Sequence, residues 1–297
     1  MQTVSTLSRP LRSTIESGTT QTLSRPTPAW RIAQATLIKE LRIATRYLPN
    51  LIGQFANMGI RIAFFMLLSA TITVQGAGTA GQDLAGHDLF LMFQGGLLLL
   101  VFIGPTLWGP MHAVRNDLYN GTLEFLYSNP GSRYAYYVGS VLAKIVINLV
   151  IFLPLYIFLI IYSQAGLLDM LMVLLACAAI LVALMAMGIM VALLALLWRQ
   201  IDSAVQVIGI LSEMLAGAYL PVTAFPRFVQ FLAYFLPHTW GYDLIRYYSF
   251  GGNWQTILPV WQEWIIIALY AVGFTLVSRY LLAKAEQLAK RSGLHVI

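Results

Sequence analysis

Residues 170–197 read MLMVLLACAAILVALMAMGIMVALLALL, a run without one charged residue. A bilayer's hydrocarbon core takes about 20 helical residues to cross, so this run is long enough to span it. Similar apolar blocks recur along the chain and set its composition: of 297 residues, 59% are hydrophobic and only 10% are charged. A soluble globular domain carries roughly 25% charged residues, because it has a whole surface to hydrate. That deficit excludes a soluble globular protein and indicates an all-α membrane protein. The single cysteine, Cys177, lies inside the quoted run, so no intrachain disulfide is available and cysteine usage leaves the redox compartment open. The net charge of +6 does not indicate nucleic acid, because the basic residues flank apolar blocks, the pattern that sets membrane topology.

Working outward, six spans are expected, at about 51–74, 89–111, 136–162, 168–198, 203–220 and 261–282. Residues 1–27 are rich in Ser and Thr, with Arg9, Arg12 and Arg25 against Glu16. They contain no apolar block, so they are not a secretory signal peptide. Their composition suits a disordered tail, or an organellar transit peptide. Thr27-Pro28 then carries a helix-start signal. Apolar residues recur at Trp30, Ala33, Leu37, Leu41, Ala44 and Leu48, with Arg31, Lys39, Arg42 and Arg46 on the other side. This spacing predicts an amphipathic helix over 28–48, of the kind that lies in the membrane interface. Pro49 ends it, and a six-span domain follows over 49–283, with a tail at 284–297. Lys and Arg concentrate in 1–48, 112–135, 198–203 and 284–297, whereas 75–88 and 163–167 have none and 221–260 has Arg227 and Arg246. The positive-inside rule therefore places both termini in the cytoplasm of a multi-pass inner or plasma membrane protein.

Two connections stand out. The outer segment 221–250 is too apolar for a solvated loop, and Pro221, Pro226 and Pro237 cut it into pieces too short to span. Short helices are expected at about 226–236 and 239–249, forming a re-entrant hairpin that roofs the spans; the alternative is a surface amphipathic loop. On the inner side, Asn120-Gly121 signals a turn, Thr122 can cap a short helix to about Tyr127, and Asn129-Pro130-Gly131 stops it. That helix carries Leu123, Phe125, Leu126 and Tyr127 on the water side of the membrane, which marks a docking site for another protein.

Gly-Thr-Leu-Glu (121–124), then Leu126 and Asn-Pro-Gly-Ser-Arg (129–133), resembles the stretch between the second and third spans of type-2 ABC-transporter permeases. That family's hallmark is an acidic-basic run, Gly-Thr-Leu-Glu and a Ser-Pro-x-Ser-Arg turn. Here Asn129 stands where Ser is usual, and the charged run is reduced to Arg115-Asn116-Asp117. Leu215-Ala-Gly-Ala-Tyr-Leu-Pro221, followed by Phe225-Pro226, Leu236-Pro237 and Asp243 to Arg246, resembles the same family's last outer loop. The likeness covers nearly everything from residue 28 onward.

The resemblance implies a half-transporter. Two permease copies, identical or related, would form the membrane pathway, and two ABC ATPase subunits would dock from the cytoplasm. It implies an ATPase-coupling element made of Arg115, Asp117, Gly121, Thr122, Leu123, Glu124, Leu126, Pro130 and Arg133. The interfacial helix, with Arg31, Lys39, Arg42 and Arg46, would face the ATPase, and Gly217, Pro221, Pro226 and Pro237 would shape an outer gate. ATP and Mg would be held by the partner ATPase, with no cofactor on this chain. Such systems are mostly exporters of drugs, lipids, polysaccharides or ions. In agreement, no Gly-x-x-x-x-Gly-Lys-[Ser/Thr] phosphate-cradling loop occurs in the sequence, so the chain is not expected to be an enzyme.

Charges deep in a span are costly and usually face a bundle interior. Arg61 lies about 18 Å beyond Pro49 along the first span, and Glu213 about 15 Å beyond Ser203 along the fifth. The similar depth suggests an ion pair, within one chain or across a dimer, or a place on a substrate route. Asn57 lies one turn before Arg61, and Gln94 in the second span either lines the same face or bridges helices. Lys144 is expected to snorkel inward. Gly95, Gly96 and Gly188 permit close helix packing. His87, His112, His238 and His295 are scattered over both sides, which predicts no metal centre. The scarcity of polar residues in the spans leans toward an amphipathic or lipid-like cargo. A self-sufficient secondary transporter is the alternative, although the inverted repeats common in that class are not found. An intramembrane enzyme would need clustered carboxylates, paired histidines or a nucleophile–base pair, and none is present.

Overall fold

The computed structural model describes residues 28–75, 83–121, 131–163, 165–197 and 202–292. The chain is mostly helical. Helix α1 (Ala29–Arg46) ends at Tyr47, and α2 (Leu48–Thr71) starts with Pro49 in its first turn, where a missing N–H costs nothing. Two-residue strands β1 (Thr73–Val74) and β2 (Leu84–Ala85) pair antiparallel, Thr73 opposite Ala85, and bring the chain back into the bundle. This small strand pair is absent from the sequence reading. Helix α3 (Gly86–Ile103) continues through a π-helical turn at Gly104–Trp108 into α4 (Gly109–Tyr119). Then come α5 (Arg133–Tyr162), α6 (Leu167–Leu197), α7 (Asp202–Leu215), α8 (Arg227–Tyr234), α9 (Pro237–Ser249) and α10 (Val260–Ser292).

Among the described residues, five stretches are long and apolar enough to cross a membrane: Leu51–Thr71, Gly86–Asp117, Arg133–Tyr162, Leu167–Leu193 and Val260–Lys284. The segment expected as the fifth of six spans, 203–220, is instead the 14-residue α7 followed by a turn. At 1.5 Å per residue α7 is about 21 Å long, short of the roughly 30 Å hydrocarbon core. Its end is set by Gly217, which takes φ +91°. The Gly217 N–H donates to the Met214 carbonyl and the Ala218 N–H to the Glu213 carbonyl, the paired bonds of a Schellman stop.

The bundle is built around α3. Of its most apolar 18 residues 83% are buried, against 6% for the matching stretch of α2, so α3 is the core post and α2 an outer wall. Leu89, Phe90, Met92, Leu97, Leu98 and Ile103 carry that core. Close approach needs glycines at a few points. A Cβ on Gly188 of α6 would overlap the Thr106 carbonyl oxygen and lie 2.8 Å from that of Leu107. Gly188 therefore lets α6 cover the backbone of the π turn, where the regular helical ladder is interrupted. A Cβ on Gly139 of α5 would sit 2.5 Å from the Ala33 carbonyl oxygen, so α1 lies directly on the α5 backbone. In α1, Ala33, Leu37, Leu41 and Ala44 are half-buried, whereas Arg31, Lys39, Arg42 and Arg46 are exposed. The expectations for 1–27, for 122–130 and for residues beyond 292 lie outside the described residues.

These contacts separate two kinds of glycine. Gly188→Ala should lower the thermal unfolding midpoint in detergent, since overpacking costs roughly 1–3 kcal/mol. Gly53→Ala, where nothing lies within 4 Å of the added carbon, should be neutral or slightly stabilising. Equal midpoints for the two variants would contradict the packing at the π turn.

Candidate functional site

A groove of about 820 Å3 runs from α1 along α2, past the π turn, to the far end of α7. Its polar lining is Glu40, Thr45, Gln54, Asn57, Arg61, His112, Lys144, Asn148 and Glu213. Its apolar lining includes Leu51, Met58, Leu100, Val101, Trp108 and Ile151. Arg61 is exposed; its Nε donates to the Asn57 side-chain oxygen at 3.0 Å, and an Nη donates to the Tyr219 hydroxyl at 3.4 Å. Arg61, Asn57 and Glu213 thus share one space, but no N–O contact within 4.0 Å joins Arg61 to Glu213 inside the chain. Gln94 is elsewhere: it is fully buried and donates to the Leu155 carbonyl of α5, so it bridges two helices. Trp108 packs against α7 where Gly209 leaves room, its Nε1 standing 3.0 Å from where a Cβ would be.

The groove closes at its α7 end under a polar cluster built by α9. Arg246, 2% exposed, donates from Nη2 to the carbonyls of Gly217 (2.5 Å) and Ala218 (3.2 Å). A Cβ on Gly96 of α3 would overlap that same Ala218 oxygen, so the turn is clamped between α3 and α9. The carboxylate of Asp243, one turn earlier, accepts from Trp254 Nε1 (3.0 Å) and from the Ile257 N–H (2.7 Å). Glu263, fully buried in the first turn of α10, accepts from the Leu258 N–H at 3.1 Å. His238, also fully buried, donates from Nε2 to the Ser212 carbonyl of α7. Thr239 and Trp240 donate to the carbonyls of Ala233 and Tyr234, which ends α8 with its orphan acceptors filled. Of the residues expected to shape this end, Gly217, Pro221 and Pro237 are buried and Pro226 is exposed at the start of α8. Arg246, Asp243 and Glu263 were not singled out as a buried cluster in the sequence, although an Asp and an Arg three apart on a short helix were a usable signal.

At the opposite end, Tyr136 of α5 joins three elements. Its hydroxyl donates to Asp117 of α4 at 2.6 Å, and the Lys39 ammonium of α1 lies 5.6 Å from its ring centre. Arg115 donates to the Tyr119 hydroxyl at 2.9 Å, and Gly121 takes φ +66° where the chain leaves α4. Arg133 is buried, and Ser132 before it caps α5 by accepting from the Ala135 N–H. Thr122, Leu123, Glu124, Leu126 and Pro130 lie outside the described residues. Tyr136 was missed in the sequence because one tyrosine among Tyr134, Tyr136 and Tyr137 carries no distinguishing pattern.

Long apolar helices, a polar groove along them and a buried polar closure define a multi-pass membrane transport component. The family model of the ABC-2 type transporter matches residues 29–250, and the chain belongs to that family as a membrane permease subunit. No curated protein matches the sequence.

Arg246→Gln should lower the thermal midpoint and open 216–226 to protease. Each charge-assisted hydrogen bond it removes contributes roughly 1.5–3 kcal/mol. Arg246→Lys should recover only part of this, because the lysine side chain is shorter and its ammonium stops short of where Nη2 stands. A glutamine variant with unchanged stability and protection would remove Arg246 from this role.

Proposed function

We propose that this chain is the permease subunit of an ATP-driven exporter, working as a dimer with two separate ATPase subunits that bind ATP and Mg. The observation that carries this reading is the family match over 29–250. In this reading α7 crosses the inner part of the membrane and the α8–α9 hairpin fills the outer part, together making the sixth crossing; both termini are cytoplasmic, and the membrane is the inner or plasma membrane. The ATPases dock where α1 and α4 meet, and the segment 115–133 couples their motion to the helices. Support comes from Tyr136, which ties α1, α4 and α5 at the root of that segment. The helices α8 and α9 form a re-entrant hairpin serving as the outer gate. Support comes from Gly241, whose added Cβ would lie 3.2 Å from Leu99 of α3 and 3.0 Å from Ile180 of α6. Ile180 lies about 20 Å along α6, near mid-membrane depth.

The dimer contact runs along α2 and α7. Arg61 is exposed between apolar residues of both helices, among them Ile60, Phe64, Ile210 and Met214. A charge facing lipid at that depth is costly, and a second copy laid against this side would take it out of lipid and roof the groove. The pathway then passes Asn57, Arg61 and Glu213, and the apolar walls suit an amphipathic or lipid-like cargo.

Co-expression with a cognate ABC ATPase should yield a stable complex. Changing Leu123, Glu124 and Leu126 together should abolish cargo-stimulated ATP hydrolysis in that complex. Transport by the purified chain alone, driven by an ion gradient, would overturn the reading in favour of a secondary transporter. The contact face has its own test, since Cys177 is the one native cysteine. In a Cys177→Ala background, Ile60→Cys should give an oxidant-induced covalent dimer in membranes, whereas Leu276→Cys on α10 should not. The reverse outcome would move the interface away from α2.

A further inference from the structure

The α1 end of the groove holds a cation that the pathway residues leave unexplained. Lys144, half-buried on α5, runs its stem over α4 at Gly109, where an added Cβ would lie 3.1 Å from its Cδ and 3.6 Å from its Cε. Gly109 thus supplies the slot through which Lys144 reaches the groove. His112, one turn beyond Gly109 on α4, lines the same groove. No carboxylate oxygen of the described residues lies within 4.0 Å of the Lys144 ammonium. The groove's acids are engaged or distant along the chain: Glu40 pairs with Lys39 at 3.2 Å, and Glu213 lies on α7 at the far end. Leu51, Met58, Leu100, Val101, Ile147 and Ile151 form the apolar walls beyond Lys144. A volume of about 820 Å3 falls among sites that enclose a small organic molecule, roughly 300–1,000 Å3.

An unpaired cation at the head of an apolar groove is complementary to one kind of molecule. The geometry points to a binding site for a membrane amphiphile with an anionic phosphate headgroup, its phosphate on Lys144 and His112 and its chain along the apolar walls. Lys144 supplies a point charge with three donors, and the imidazole adds a fourth, a set suited to phosphate oxygens. This deepens the amphipathic-cargo reading above and rests on it, naming the headgroup that such a cargo carries.

The test is native mass spectrometry of the purified full chain, titrated with dioleoyl phosphatidylglycerol, dioleoyl phosphatidylcholine and free sn-glycerol 3-phosphate. The anionic lipid should bind at least about tenfold more tightly than the zwitterionic one, the yield of one good charge-assisted contact. Lys144→Gln should erase that preference, and Lys144→Arg should keep it. Gly109→Leu, which fills the slot, should weaken phosphatidylglycerol as Lys144→Gln does. Monodisperse elution and an unchanged melting point certify each variant as folded; a misfolded Gly109→Leu leaves the Lys144 pair to decide. Equal retention of phosphatidylglycerol by the parent and Lys144→Gln overturns the site. Glycerol phosphate binding as tightly as the intact lipid overturns the amphiphile and leaves a free-phosphate site. Co-purification of the same variants with the ATPase reports separately on the transporter reading, so loss of that complex with lipid preference intact would fault the reading and spare the site.

Discussion

Backbone carbonyls at membrane depth have no water to bond, so wherever a helix stops early its last acceptors need protein donors. Helix α7 stops early, and the carbonyls of Gly217 and Ala218 past its end are met by one buried guanidinium, Arg246. Much of this end of the molecule follows from that requirement. A short α9 must reach inward to deliver the guanidinium, and Gly96 must lack a side chain so that α3 can approach the same turn. The neighbouring acids Asp243 and Glu263 each accept from backbone N–H groups of 257–258, which anchors the loop leading into α10. Removing any one of these would leave a buried polar group with no partner, at a cost larger than the bond itself contributes.

The groove obeys the opposite logic. Its charged residues are half-buried or exposed, and among the described residues the Lys39–Glu40 contact is the ion pair found at the groove. Arg61 makes do with an amide oxygen and a phenol, and among the described residues Glu213 finds no cation within 4.0 Å. One end of the bundle thus ties its turn carbonyls and its buried acids to protein donors, while the groove beside it keeps polar groups in reserve. Fixed closure and unsatisfied lining are what a conduit needs, since its wall must hold while its contents change.

Much of this was legible in the sequence, for reasons that can be named. Apolar length placed the long helices, Pro49 separated the interfacial helix from the first span, Pro237 preceded a short helix, and the three/four spacing of Ala33, Leu37, Leu41 and Ala44 picked out the half-buried side of α1. Gly188 and Gly96 sit at close backbone contacts, as small residues inside apolar runs suggest. Other features were hidden because hydropathy reports only average polarity. The run to Leu220 is apolar enough to continue a span, yet Gly217 turns it, and the turn is settled by a donor from residue 246 that no local window contains. Gln94 and Arg61 look alike as polar residues in apolar runs, but one bridges α3 to α5 and the other faces the groove. Snorkelling toward the inner face is what a lone lysine in a span suggests for Lys144; the slot that leads it to the groove belongs to Gly109, on another helix. The short strand pair β1–β2 left no alternation long enough to detect.

The clamp around Gly217 also carries a schedule. A ribosome delivers Gly217 to the membrane 29 residues before it delivers Arg246, so the turn is made well ahead of the group that seals it. Until α9 has been synthesised and folded back, those two carbonyls must borrow water or lipid headgroups at the bilayer surface. The last third of the chain therefore completes its assembly late, after α3, α5 and α6 are already in place to receive it. A chain broken off between α7 and α9 lacks that guanidinium and cannot seal the turn.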